Sequence, residues 1–94
     1  MTEIEIKTVF HVERDGNSIT ATVEKIECGY QFAMESKRPK HGWYDTSPYV
    51  MQNEREAIVA GFPFLYHIVK NHPLVTEADA WFDSVRVLKL PLYN

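Results

Sequence analysis

The stretch EIEIKTVFHVERDGNSITATV, residues 3–23, constrains the fold more than any other part of this chain. Its first half alternates. Ile4, Ile6, Phe10 and Val12 fall on one face and Glu3, Glu5, Lys7, His11 and Glu13 on the other, the period-two pattern of a half-buried strand. Asp15-Gly16 follows, a pair suited to a two-residue hairpin turn because both central positions of that turn take positive φ. With the turn there, Val12 faces Ile19, Phe10 faces Ala21 and Lys7 faces Glu24, so apolar meets apolar and cation meets anion. Beyond Val23 the apolar phase slips to Ile26 and Cys28. A β-bulge near Glu24-Lys25 would return them to the inner face opposite Ile6.

A turn at Cys28-Gly29 leads into a third strand, with Tyr30, Phe32 and Met34 inward and Gln31, Ala33 and Glu35 outward. KRPKHG then reads as a hairpin tip, with Pro39 fixing φ and Gly42 free to take a left-handed conformation, before a short strand at Trp43-Tyr44. TSPYV is extended. Asn53 with Glu56 forms a helix start, so a helix begins at Glu54 and carries an apolar stripe of Ile58, Gly61, Phe62, Leu65 and Val69. Pro63 must kink or restart it, and NHP ends it near Asn71. Thr76 and Asp79 cap a second, short helix with Ala78, Trp81 and Phe82 on one face, and SVRVLKL reads as a last strand returning to the sheet. The expected fold class is α+β: an antiparallel β-meander of three to four strands with a kinked helix and a short helix on one face and a C-terminal strand, in the order β-β-β-(β)-α-α-β.

At 94 residues the chain is expected to form a single domain, 1–94, with one core. Apolar residues at 45% and charged residues at 24% are globular proportions, which argue against a disordered or fibrous chain. The longest apolar run, IVAGFPFLY, is interrupted by Gly61 and Pro63 and falls far short of the ~20 residues that span a bilayer. Its start, MTEIEIK, lacks the apolar stretch of a secretion signal. Cys28, the only cysteine, excludes an intramolecular disulfide and suits a reducing compartment, so a cytoplasmic protein without membrane partners is expected.

Catalytic signatures are missing from the sequence: it has no glycine-rich phosphate loop, no nucleophile elbow and no paired-histidine metal motif. His67 and His72 are about 140° apart around a helix, which argues against a shared metal. Cys28 reads as a small buried hydrophobe, His11 and His41 as solvated rings. Glu54, Glu56, Glu77 and Asp79 fall in first helical turns, where they serve caps and dipoles. No enzyme, cofactor or metal site is therefore expected.

Two surfaces remain as binding candidates. Alternation leaves Glu3, Glu5, Glu13, Glu24 and Glu35 on the outer sheet face, an acidic surface that repels phosphate and lacks the exposed rings on which a sheet stacks bases. The hairpin tip is opposite in sign, with Lys37, Arg38, Lys40 and His41 beside Trp43 and Tyr44. Trp43 and Tyr44 cannot both point inward from one strand, so at least one ring is expected to be partly exposed. With a net charge of −3, the molecule has no global attraction for nucleic acid, and three cations make only a few phosphate contacts.

The expected function is a non-enzymatic protein-interaction module that uses the tip, the acidic face or both. A basic nucleic-acid-handling protein is a natural partner for the face, and a homodimer is compatible with the apolar end LPLYN. The alternative is a weak nucleic-acid-binding domain that uses the tip. In size and lack of catalytic motifs the chain resembles the small accessory and inhibitor proteins that phages and mobile elements encode.

Overall fold

A computed structural model describes residues 5–88. Four strands, β1 (Glu5–Arg14), β2 (Asn17–Ile26), β3 (Gly29–Arg38) and β4 (His41–Met51), form an antiparallel sheet in the order β1-β2-β3-β4. Helix α1 (Glu54–Phe64), a 3₁₀ turn (Tyr66–Ile68) and helix α2 (Val75–Leu88) follow. This is the expected α+β meander, with helices on one sheet face. Glu3 and Ile4 lie outside the described residues, as do residues 89–94 with the apolar C-terminal end. No described helix is long and apolar enough to cross a membrane.

Asp15 (φ 56°) and Gly16 (φ 80°) supply the two positive φ angles of the first hairpin turn, and Val12 faces Ile19 and Phe10 faces Ala21. The irregularity lies elsewhere than expected. β2 pairs without interruption, whereas β1 bulges between Thr8 and Phe10. The extra residue, Val9, packs against the core, and everything before it changes face. Lys7 therefore opposes Val23 rather than Glu24, and its ammonium lies 3.2 Å from Glu54 at the start of α1. Ile6 opposes Glu24 on the outer face and is 66% exposed, so it is not a core residue.

The second turn is Glu27-Cys28, one residue earlier than expected, and leaves Cys28 exposed rather than buried. Gly29 opens β3 at φ 153°, pressed so close to β4 that a Cβ would stand 2.4 Å from the Met51 carbonyl oxygen. The third turn is Pro39-Lys40, and β4 is a long strand that includes TSPYV. Its register with β3 slips between Gln31 and Ala33, where Ser47-Pro48-Tyr49 bulge out.

The core is one cluster. Ile19, Ala21, Val23, Phe32 and Met34 come from the sheet, and Ala57, Ile58, Phe62 and Leu65 cover them from above. Trp81 of α2 joins this layer, stacked on Phe10 with ring centres 5.0 Å apart. Asn53 caps α1 as expected: its Oδ1 accepts from the Glu56 N–H at 2.8 Å. Pro63 does not let the helix run on to Asn71. It occupies the last turn, and the chain tightens after Leu65 into the 3₁₀ turn.

Thr76 does not cap α2, which starts at Val75, and Asp79 instead accepts from the Tyr66 hydroxyl at 3.1 Å. The expected last strand is helical as far as Leu88. Val85 extends the Ala78, Trp81, Phe82 stripe by one more turn against the core, a helical spacing that overrides the β propensity of its neighbours. Arg55 of α1 holds this end, donating from Nε to the Val85 carbonyl at 3.2 Å and from Nη2 to the Arg86 carbonyl at 2.9 Å.

Candidate functional site

Three consecutive residues of β3 fasten the segment that links the 3₁₀ turn to α2. The buried Ser36 hydroxyl donates to the Ile68 carbonyl at 3.1 Å, the Lys37 carbonyl bonds His72 Nε2 at 2.9 Å, and Arg38 Nη2 donates to the Asn71 carbonyl. His72 is 4% exposed, and its Nδ1 accepts from the Leu74 N–H at 3.1 Å. A ring that accepts at Nδ1 and faces a carbonyl at Nε2 carries its proton on Nε2, so both nitrogens are committed to the fold.

Between this fastened segment and the inner face of β4 lies a cavity of about 450 Å³. Ser36, Arg38, Ile68 and His72 form its inner wall, and His41, Trp43 and Asp45 line it from β4. His67 and Asn71 complete the rim from the other side. Trp43 opposes Ser36 in the sheet, so it belongs to the helix-bearing face. It is nevertheless 53% exposed, because the tip extends past the helices that cover the rest of that face. Tyr44, on the opposite face across from Glu35, is 63% exposed. Parity required one exposed ring at the tip, and the structure provides two.

The basic residues divide. Arg38 is engaged with the Asn71 carbonyl, and Lys37 lies on the outer face 3.9 Å from Glu35. Lys40 projects from the turn and is exposed, as is His41, whose ring sits 5.5 Å from that of Trp43. His67 and His72, which helical geometry would have separated, border one cavity because the helix stops short of them. They do not form a ligand pair, and among the described residues no group of three histidine, cysteine, aspartate or glutamate side chains is placed to hold a metal. Asp45 Oδ1 accepts from the Thr46 N–H at 2.8 Å, and no described histidine of the cavity hydrogen-bonds it.

The acidic face is smaller than alternation suggested. The β1 bulge moves Glu5 to the helix-bearing side, opposite Lys25, and Glu3 lies outside the described residues. Glu13, Glu24 and Glu35 remain on the outer face, with Glu13 3.6 Å from His11 Nε2 and Glu35 beside Lys37. Next to them stand Ile6, Thr20, Thr22 and Val50, so the surface mixes apolar, hydroxyl and charged groups. Behind the cavity, burial and then the neighbouring Asp79 carboxylate push the Tyr66 phenol above its ordinary pKa of 10.0.

Ser36, Asp45, Asn71, His67 and His72 were not candidates for one site from sequence alone. Residues 36 and 45 face each other's neighbourhood through the register of the β3–β4 hairpin. The other three arrive through the non-helical path after Leu65, which periodicity does not encode. Comparison of the chain with protein-family models, curated proteins and solved structures finds no match.

Proposed function

We propose that the protein is a non-enzymatic interaction module that binds a partner protein through the β3–β4 tip and the cavity beside it. The observation that carries this reading is the exposure of Trp43 and Tyr44, 53% and 63%, on the two faces of a hairpin that outruns its helical cover. Two rigid rings in water at one tip are costly for a monomer and effective in an interface, where tryptophan and tyrosine supply contact area with little loss of rotamer freedom. Beneath them, hydrogen bonds from three successive β3 residues hold the cavity wall in place, which lowers the ordering cost of binding.

A small domain that covers a partner's working surface, as an inhibitor or accessory protein of phage or mobile-element type does, is the role this reading implies. Its setting is cytoplasmic, supported by the exposed free thiol of Cys28. The tip is better supported than the acidic face as the contact surface, since two of the three described outer glutamates have a basic neighbour within 4 Å. Nucleic acid is the weaker alternative. Lys37 is beside a carboxylate and Arg38 is engaged with a carbonyl, which leaves few cations at the tip for phosphates.

The test is affinity capture with the wild type, a Trp43→Ala/Tyr44→Ala variant and a Glu13→Lys/Glu24→Lys/Glu35→Lys variant, each confirmed to be folded. Loss of about 2 kcal/mol, roughly 30-fold in affinity, is expected for the aromatic variant and little change for the charge-reversed one. Partners that bind the folded aromatic variant unchanged would refute the proposal.

A further inference from the structure

The sheet ends at β4, and among the described residues no strand pairs with its outer edge. The two-residue turn Pro39-Lys40 closes on the pair Arg38 and His41, so His41, Trp43 and Asp45 exchange backbone bonds with β3. Gly42, Tyr44 and Thr46 then direct their N–H and C=O groups to the free edge. The Thr46 N–H illustrates this, since it turns to the Asp45 side chain instead of to β3. That carboxylate and Pro48 blunt one end of the edge, as sheet edges commonly are. Gly42 and Tyr44 have no such guard, and Gly42 presents no side chain to an approaching backbone.

The same segment is the wall of the cavity. A strand added to β4 sends every second side chain to the helix-bearing side, onto Trp43 and the cavity mouth. Arg38 and Asp45 are the charged side chains of the lining, with one Asp45 oxygen already occupied by the Thr46 N–H, and Lys40 stands exposed in the turn next to His41. The balance favours an incoming anion.

We propose that an extended, acidic segment of the partner protein adds as a strand to the β4 edge at Gly42–Tyr44 and places a carboxylate side chain in the cavity. The inference rests on the tip being the interaction surface and names the chemistry of what it takes. Affinity comes from main-chain hydrogen bonds at the edge. Selectivity comes from the two cations, because a neutral or basic side chain there leaves Arg38 and Lys40 without a counter-charge.

Three octapeptides test it, alternating threonine with glutamate, glutamine or lysine, each titrated to low-millimolar concentration into the uniformly ¹⁵N-labelled protein. The glutamate peptide is expected to shift the amides of residues 41–46 and 67–72, the glutamine peptide to bind about tenfold more weakly, and the lysine peptide not to bind. Tyr44→Pro, which removes an edge N–H, should abolish the response. Should that variant unfold, Lys40→Glu provides the second readout, weakening the glutamate peptide severalfold and sparing the glutamine one. No shifts with the glutamate peptide, shifts on the outer face, or equal binding of all three peptides would overturn the inference. If partner capture still depends on Trp43 and Tyr44 in that event, the interaction module stands and only the acidic strand falls.

Discussion

Replacing Gly61 with alanine sets two effects of opposite sign against each other. Gly61 lies inside α1, where alanine is the better helix former by about 1 kcal/mol, so propensity alone predicts a more stable protein. The packing predicts the reverse. A Cβ at this position would lie 2.6 Å from Phe32 Cβ, 2.9 Å from its Cγ and 2.8 Å from Cδ2, against a comfortable carbon separation of about 3.5–4.0 Å. The nearest of these atoms is a Cβ, which the β3 backbone fixes, so no rotamer of Phe32 clears the overlap. The ring itself is fully buried and stacks at 6.4 Å on Trp81. Helix α1 must therefore lift off the sheet by roughly 1 Å, loosening Ile58, Phe62 and Leu65 with it; overpacking costs about 1–3 kcal/mol, and an overlap with an atom the backbone fixes belongs at the upper end, about 2–3 kcal/mol. The expected net is a loss of about 1–2 kcal/mol, seen as a lower urea midpoint at unchanged m and a Tm lower by about 5–15 °C. Ala60→Gly, one residue away on the same helix, removes propensity without adding an atom and should also destabilise, by about 1 kcal/mol. Paired losses from Ala60→Gly and Gly61→Ala cannot be explained by propensity. A Gly61→Ala protein as stable as the wild type, or more stable, would refute the close contact of helix and sheet on which this reasoning stands.

His72→Ala strips the partner from the Lys37 carbonyl and the Leu74 N–H in a buried place, and is expected to cost about 1–3 kcal/mol in urea denaturation and to speed amide exchange at Leu74. Arg14→Ala releases Glu77, whose pKa is held below the ordinary glutamate value of 4.5 first by its hydrogen bond to the Arg14 guanidinium, 2.9 Å away. The carboxyl midpoint, followed by ¹³C NMR, should rise towards that value in the variant. Because the folded pKa is the lower one, the wild type's stabilisation is present above the unfolded pKa and lost as pH falls through the folded one, and the variant should lack that acid-side component.

The parts of the fold legible in the sequence are those where chemistry is local. Asp15-Gly16 needed only two residues able to take positive φ, and Asn53 needed only a side chain that reaches back to its own helix. What misled was parity carried past a point where the backbone breaks it. Ile6 and Phe10 share an even number and an apolar side chain, yet one is in water and the other beneath Trp81, because Val9 is inserted between them. Alternation cannot locate such an insertion, since Val9 looks like any strand residue. Only the competition for core volume between Val9 and Ile6 decides which is inside. At the other end, Ser84 to Leu88 carries enough valine and leucine to read as a strand, and helix formation there depends on Val85 finding the core and Arg55 finding the last carbonyls, both matters of tertiary structure.

The tip shows the same division. Its cationic and aromatic character was visible in KRPKHGWYD, but the sequence weighs Lys37, Arg38 and Lys40 equally. The structure separates them by what is nearby: Glu35 for Lys37, a loop carbonyl for Arg38, solvent for Lys40. An Arg38 substitution would therefore disturb the fold as well as any binding, because it would loosen the segment on which His67 and Asn71 stand. Lys40→Glu, by contrast, changes only the charge that an incoming segment meets. Charge reversal at Lys40 alone is thus the cleaner probe of recognition at this hairpin, and a partner that responds to Arg38 but not to Lys40, Trp43 or Tyr44 would be sensing the integrity of the loop rather than the surface of the tip.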